Sequence, residues 1–465
     1  MTSGATSRLM REGRDVSTQV VPVLFAQPDE SDILHWRAMI LGPPGGPYSL
    51  GYFHFDMKFP QDYPNSAPKV LITTTSGGMV RFNPNLYSTG KVCLSILGTW
   101  RAEHSGEQWS AVQSVQSILM SIQSLMNDTP YHNEPSFEED DGSGDVQKYN
   151  EKIAHETLRV GVCEVMEETL MLRAQSSNGV CPLFAATRRV LFLMYYERYL
   201  ADSRALCDKK ECRDGQPFKM MPFECSSNGM HGQFQWGQVR GRLEKIHAAL
   251  LASIDEWKRK GAEQTAQLKA KQDSQVTACI HHLHQQVERI KHEMPASASI
   301  GPADDNTCVW TATIFGPSET VWDGGMFEAE FVFPPDFPDA PPYIRFLTPI
   351  FHPQISPSGA PRRRRRRRRA PSRPPHTARP PRPPPSAPGV PYLRTLLLWS
   401  TIEPKEKTPA ALLNQLVQLL SKEPSPEPVT HLNQQAAALH FSRSDDDRKE
   451  YKRQVKKRVQ RSLEG

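Results

Sequence analysis

Long apolar runs are missing from this 465-residue sequence. None approaches the ~18 residues a membrane-spanning helix needs, so no crossing of a bilayer is expected. The opening stretch MTSGATSRLMREGRDV has no apolar core, and no secretory signal is expected there. Cysteine is scarce, with eight at 93, 163, 181, 207, 212, 225, 279 and 308. No two form a CxxC pair. Cys207 and Cys212 stand five apart with no second pair at zinc-finger spacing, so no metal site is expected. These absences point to free thiols in a reducing cytoplasmic or nuclear compartment. Positive charge is also scarce outside one place. The formal net charge is +5, yet Arg362 to Arg369 supply eight arginines, so the rest of the chain is slightly acidic. Binding of nucleic acid by the whole chain is therefore not implied.

The sequence is 38% hydrophobic and 23% charged, which is enough for globular cores in two or three domains. Ser7 to Val16 has the spacing of a short amphipathic helix. Ile33 to Leu41, Tyr52 to Phe59 and Lys69 to Thr75 read as strands, the first two joined by the Gly/Pro connection GPPGGPYSLG. Val112, Val115, Ile118, Leu119, Ile122 and Leu125 recur at helical spacing. Residues 147–265 read as mostly helical, with a polar loop from Asp208 to Gly237.

An internal repeat organises the chain. GPPGGPYSLGYFHFDMKFPQDYPNSAP (42–68) matches GPSETVWDGGMFEAEFVFPPDFPDAPP (316–342) without a gap, pairing Gly42 with Gly316, Gly51 with Gly325 and Pro64 with Pro338. FNPN (82–85) pairs with FHPQ (351–354), and Gly90 with Gly359. An Arg/Pro-rich insertion, Ala360 to Gly389, then interrupts the second copy. Past it, Tyr392 falls opposite Cys93. A second copy that keeps the glycines, prolines and aromatics but discards the thiol argues that Cys93 is not a fold requirement.

The motifs GPPGGPYSLGYF, FPQDYPNSAPKV, RFNPNLYSTGKVCLSILGTW, QWSAVQSVQSILMSIQSLM and PYHNEP stand in order over residues 1–150. That stretch resembles the catalytic domain of the ubiquitin-conjugating enzyme family. Asn-Pro-Asn in place of the usual His-Pro-Asn, with GKVCLSILGTW and PYHNEP, is similar to the Z-type branch. The resemblance implies an α+β class and the UBC fold, a four-stranded antiparallel sheet flanked by helices. It divides the chain into a catalytic domain (1–150), a helical C-terminal extension (151–265) and a second, degenerate UBC-like domain (275–465) carrying the insertion 360–389.

By the same resemblance, Cys93 is the thioester nucleophile. Asn85 stabilises the oxyanion or holds the active-site loop, and Glu134 orients the incoming lysine. No bound cofactor or metal is implied, because ATP is consumed upstream by the activating enzyme. The implied partners are ubiquitin or a ubiquitin-like modifier, a ubiquitin-activating enzyme (for the Z type, the alternative one), a ubiquitin ligase and lysines of substrate proteins. Arg8, Arg11 and Arg14 are candidates for the activating-enzyme contact or a solvated face. Asn65 and Ser110-Ala111-Val112 depart from the family's usual ligase-binding loops. Trp100 and Trp109 are expected to pack around the active-site loop.

The residues leave alternatives open. Cys93 alone would read as a buried inert thiol, Asn85 as a turn residue and Glu134 as a solvated acid. The competing function is a non-catalytic ubiquitin-binding scaffold of two UBC-like domains. The arginine run reads as a disordered insertion or a gene-model artefact ahead of a nucleic-acid patch, because a segment so rich in Arg and Pro cannot bury a core.

Overall fold

The computed structural model describes residues 4–18, 23–101, 108–175, 183–209, 213–224, 229–270, 277–293, 296–357 and 389–464. The arginine run and all of the insertion except Gly389 lie outside them, as do Cys181, Cys212 and Cys225. The chain folds as two compact units. The first takes residues 1–253 and 394–401, the second 254–393 and 402–465.

In the first unit, α1 (Gly4–Ser17) precedes strands β1 (Leu24–Pro28), β2 (His35–Leu41), β3 (Tyr52–Lys58) and β4 (Lys69–Ile72). They form an antiparallel sheet in chain order. Period-two alternation sends Trp36, Ala38, Ile40, Phe53, Phe55 and Met57 to one face, where they meet α1 and α2 (Val115–Leu125) in a buried core. α2 starts where a capping box closes: Ser114 accepts from Ser117 N while Ser117 Oγ accepts from Ser114 N. Glu12 of α1 adds to that end. Its buried carboxylate accepts from Val115 N at 2.8 Å and from Tyr63 OH at 2.9 Å. Strand β1 had no alternation to mark it in the sequence.

The extension is helical. α3 (Asp145–Glu156) passes through a π-helical stretch, Thr157–Glu164, into α4 (Val165–Gln175), and α5 (Ala185–Cys207) and α6 (Trp236–Lys269) follow. The division between the units falls inside α6. α5 covers the other face of the sheet. Tyr199 OH donates to Leu50 O at 2.9 Å and meets Tyr52 OH at 3.0 Å, while Arg188 reaches His54 Nε2 at 3.2 Å. Met39 and Tyr52 are fully buried there. Within the loop 213–235, Glu224 ties back to α3. Both its oxygens lie 2.7 Å from Lys152 Nζ, and both side chains are buried. Phe223 packs edge-on to Tyr149 and tilted against Tyr131.

The second unit repeats the plan. α7 (Ala278–Glu293) precedes β5 (Ala298–Ala303), β6 (Asn306–Phe315), β7 (Met326–Val332) and β8 (Tyr343–Phe346), again antiparallel in chain order. α8 (Arg394–Leu397), grouped with the first unit, comes next. Then follow α9 (Pro409–Ser421), capped by Thr408, α10 (Gln434–His440) and the charged α11 (Asp445–Ser462), capped by Ser444 with three aspartates in its first turn.

The repeat has a physical cause. Gly42 N donates to Gly51 O and Gly51 N to Tyr48 O; Gly316 N donates to Gly325 O and Gly325 N to Trp322 O. A Cβ on Gly42 would lie 1.9 Å from Tyr48 O, and one on Gly316 1.8 Å from Trp322 O. Only glycine lets these turns close. Among the described residues, no helix is long and apolar enough to cross a membrane, and no group of three or more His, Cys, Asp or Glu side chains could hold a metal.

Candidate functional site

Cys93 sits just past a tight turn that hangs from β4. Gly90 closes the turn at φ +94°, and its carbonyl accepts from Ile72 N at 2.8 Å. Its Cβ position would be 3.1 Å from Ile72 O, so the left-handed backbone and the close approach both demand glycine. Tyr87 N then donates to Lys91 O at 2.9 Å. Two residues later Cys93 is clasped by Asn85 from both directions. Cys93 N donates to Asn85 O at 2.9 Å, and Asn85 Nδ2 donates to Cys93 O at 3.1 Å. The side-chain amide is thus engaged in holding the loop, with its second N–H uncommitted among the described contacts.

Asn83 anchors this clasp. It is fully buried. Its Oδ1 accepts from Asn85 N at 2.9 Å and from Asn133 Nδ2 at 3.3 Å. Its Nδ2 donates to Tyr48 OH and to Leu125 O, both at 2.8 Å. One asparagine therefore joins the Cys93 turn, the Gly/Pro loop and the end of α2, and Asn133 joins the 130–137 loop to it. Buried amides that meet most of their hydrogen-bonding capacity fix geometry.

The electrostatics are opposed. Cys93 is 1% exposed. Burial pushes its thiol above the ordinary range, while the Lys91 and Arg81 charges, and hydrogen bonds involving Lys91 and Tyr87, pull it back. Glu134 follows the same pattern: burial lifts its carboxyl above the usual value, against the pull of Arg81. Arg81 was not singled out by the sequence. Its Nη2 lies 2.6 Å from Pro84 O and 3.3 Å from Glu134 Oε2. His132 is spoken for, its Nδ1 meeting Phe137 O at 2.7 Å.

The second unit repeats the frame with other side chains. Tyr392 N donates to Gln354 O at 2.8 Å, and Gln354 N donates to His352 Nδ1 at 3.0 Å. Tyr392 thus stands where Cys93 stands. Gln354 is one methylene longer than Asn85, and its Oε1 turns away to accept from Ser425 N. His352 is fully buried, and burial pulls its imidazole down to about 3, so it is neutral. Phe346 N donates to Gly389 O, and Ser356 N to Val390 O, as Ile72 N does to Gly90 O and Tyr87 N to Lys91 O. Gly389, not Gly359, therefore takes the place of Gly90. The sequence pairing of Gly90 with Gly359 is thereby corrected: a glycine stands near each end of the insertion, and the first was the wrong one.

A ubiquitin-conjugating enzyme family model matches residues 8–155 and again residues 282–360, so the match itself falls on both copies. Ubiquitin-conjugating enzyme E2 Z of Xenopus tropicalis is 41% identical over 243 residues, covering 52% of this chain and 70% of that protein. This chain belongs to the ubiquitin-conjugating enzyme family. Proteins of the same name from Danio rerio and Homo sapiens are 39% and 38% identical. These matches cover 52% and 53% of this chain, and 68% and 64% of those proteins. The Z-type likeness read from Asn83–Asn85 agrees with these relatives.

Within this member of the family, the other sequence candidates divide. Arg8 is committed internally, to Glu12 and to Gln113 O at 3.0 Å, whereas Arg11 and Arg14 are exposed. Asn65, Ser110, Ala111 and Val112 are exposed, Val112 at 84%. Trp109 packs, but against the loop between β3 and β4 rather than the active-site loop, with Nε1 on Pro64 O at 2.8 Å and its ring against Tyr63. Trp100 does not. It is 40% exposed, beyond the left-handed Gly98 that ends the one-turn helix Ser95–Leu97. Its apolar type alone suggested burial. Asn133, Arg81 and Glu12 were missed, because asparagines near a proline read as turns and lone charges read as solvated; Asn83 stood out only as the replacement for the family's usual histidine, and its network of partners was not legible. One signal was available: His352 opposite Asn83 marks a position that keeps a hydrogen-bonding side chain in both copies.

Proposed function

We propose that Cys93 accepts the C-terminus of ubiquitin, or of a ubiquitin-like modifier, as a thioester and passes it to lysine amines of substrate proteins. The supporting observation is the two-way clasp between Cys93 and Asn85, built on a frame that the second unit repeats with a phenol in place of the thiol. Cys93, as thiolate, attacks the carbonyl carbon of the activating enzyme's thioester, and that enzyme's sulfur leaves with the electron pair. A lysine nitrogen then attacks the Cys93 thioester, the carbon–sulfur bond breaks, and the nitrogen sheds a proton. Asn85 would hold the loop and offer its free N–H to the developing oxyanion. Glu134 would receive the amine. No cofactor is needed at this site, since ATP is spent upstream. The donor would be the alternative activating enzyme, contacted through Arg11 and Arg14 of α1, and a ligase would bring the substrate. We place the reaction in the cytoplasm or nucleus. The second unit, with Tyr392 and Gln354, would bind a modifier or partner without reacting.

The test is a charging reaction of the full chain with activating enzyme, ATP and ubiquitin. A reducible band about one ubiquitin heavier is expected on a non-reducing gel. Cys93→Ser should abolish the reducible band and trap a slower ester. Persistence of that band in Cys93→Ser would refute the assignment. If the wild type fails to charge with any activating enzyme or modifier, the chain acts as a two-domain binding scaffold.

A further inference from the structure

We propose that Arg81 is a positioning residue for the amine-transfer step, fixing the Glu134 carboxylate to the Asn83–Asn85 turn through one buried guanidinium. The inference rests on the reading of Cys93 as the thioester-forming nucleophile.

Arg81 is 4% exposed. Its Nη2 bridges two separate segments, Pro84 O at 2.6 Å and Glu134 Oε2 at 3.3 Å. Its guanidinium carbon lies 4.5 Å from the centroid of the Tyr87 ring. The turn between the two asparagines, the loop bearing Glu134 and the segment leading to Cys93 therefore meet on one side chain. Among the described residues, its Nε is buried with no hydrogen-bond partner. An unmet buried donor is costly, and a neutral amide could have met Pro84 O. What the position gains from arginine is a permanent charge in a planar fork, fixed by stacking on an aromatic ring. That charge faces the two groups whose ionised forms the reaction uses. It opposes burial at Glu134 and at Cys93 alike. The other groups facing these two are the Tyr149 phenol of α3, which stays neutral, at Glu134, and Lys91 and Tyr87 at the thiol.

In the transfer step the lysine nitrogen bonds to the thioester carbon, and the electron pair of the breaking bond leaves on the Cys93 sulfur. The proton lost from nitrogen passes to the carboxylate and on to water. A carboxylate held in one place by Arg81 accepts that proton; a neutral or swinging one does not.

The experiment is single-turnover discharge of the charged full chain to free lysine, run across the mildly acidic to mildly basic range. The variants are Arg81→Gln, Arg81→Lys, Glu134→Gln and the Gln/Gln double. Arg81→Gln is expected to slow discharge by about tenfold or more, with charging slowed less. Its acid limb should move to higher pH, because burial then acts on Glu134 unopposed. Arg81→Lys, which keeps the charge but not the stacked fork, should recover only part of the rate. The double variant should be no slower than the slower single, the mark of one coupled unit. The proposal is overturned if Arg81→Gln discharges at the wild-type rate, if the two single effects multiply, or if charging, discharge and thermal midpoint fall in step. A wild type that never charges overturns the Cys93 reading together with this one. Normal charging with unaffected discharge overturns this one alone.

Discussion

The two roles open to Asn85 differ in size, and Asn85→Ala separates them. In the resting structure its Nδ2 donates to Cys93 O at 3.1 Å. Losing one neutral hydrogen bond of that kind costs about 0.5–1.5 kcal/mol. If loop-holding were the whole role, discharge would slow by about tenfold at most, since 1.4 kcal/mol is a factor of ten. An amide aimed at a developing oxyanion is worth about 3–4 kcal/mol, or 10²–10³ in rate. Only one N–H is used at rest, so the second can serve the intermediate without releasing the loop. We therefore expect Asn85→Ala to slow single-turnover discharge to lysine by about a hundredfold or more, while stability falls by about 1 kcal/mol. Asn85→Asp should be no better. It replaces the donor by an acceptor facing Cys93 O, and its charge would raise the thiol further. The assay follows loss of the purified thioester at saturating lysine, with thermal unfolding in parallel. Discharge slowed less than tenfold in Asn85→Ala, or near-normal in Asn85→Asp, would refute the oxyanion role.

Three further outcomes are expected. Lys91→Met removes a charge that holds the Cys93 thiol down against burial, so thiolate should be scarcer at neutral pH. The charging deficit should shrink as pH rises through the thiol range; initial rates against pH would show this, and a constant deficit would place Lys91 in partner binding instead. Lys152→Ala strands the buried Glu224 carboxylate and should cost about 3–5 kcal/mol, seen as a lower urea midpoint; an unmoved midpoint would show that the pair contributes nothing. Tyr392→Cys in a Cys93→Ala background should not charge, although the backbone bond to Gln354 is kept, because Gln354 has turned its oxygen to Ser425 N. A reducible band there would mean that the frame alone suffices.

Much of this architecture could be read from the residues. The repeat of Gly42 and Gly51 in Gly316 and Gly325 foretold two copies of one sheet, because those positions tolerate no side chain. Helical spacing foretold α2, though not that a buried acid of α1 would help start it. What stayed hidden has a common character. Asn83, Arg81, Glu12 and the Lys152–Glu224 pair are polar residues whose importance comes from burial, and burial of a lone polar residue leaves no periodic trace. Each takes at least one partner from distant sequence. Glu12 meets Tyr63 and Val115, and Lys152 meets Glu224, 72 residues on.

Helix α5 lies on the sheet face that a free-standing four-stranded domain would leave to solvent. Tyr199, Arg188 and their partners Leu50, Tyr52 and His54 close that face from within the same chain. The span that the family model matches and the span that folds together therefore differ here. A fragment cut at residue 150 would keep Cys93, Asn85 and Glu134 yet bare Met39 and Tyr52, which are fully buried in the whole protein. Such a fragment would carry an apolar patch prone to self-association. Any visitor to this sheet must first displace a helix that the protein supplies to itself.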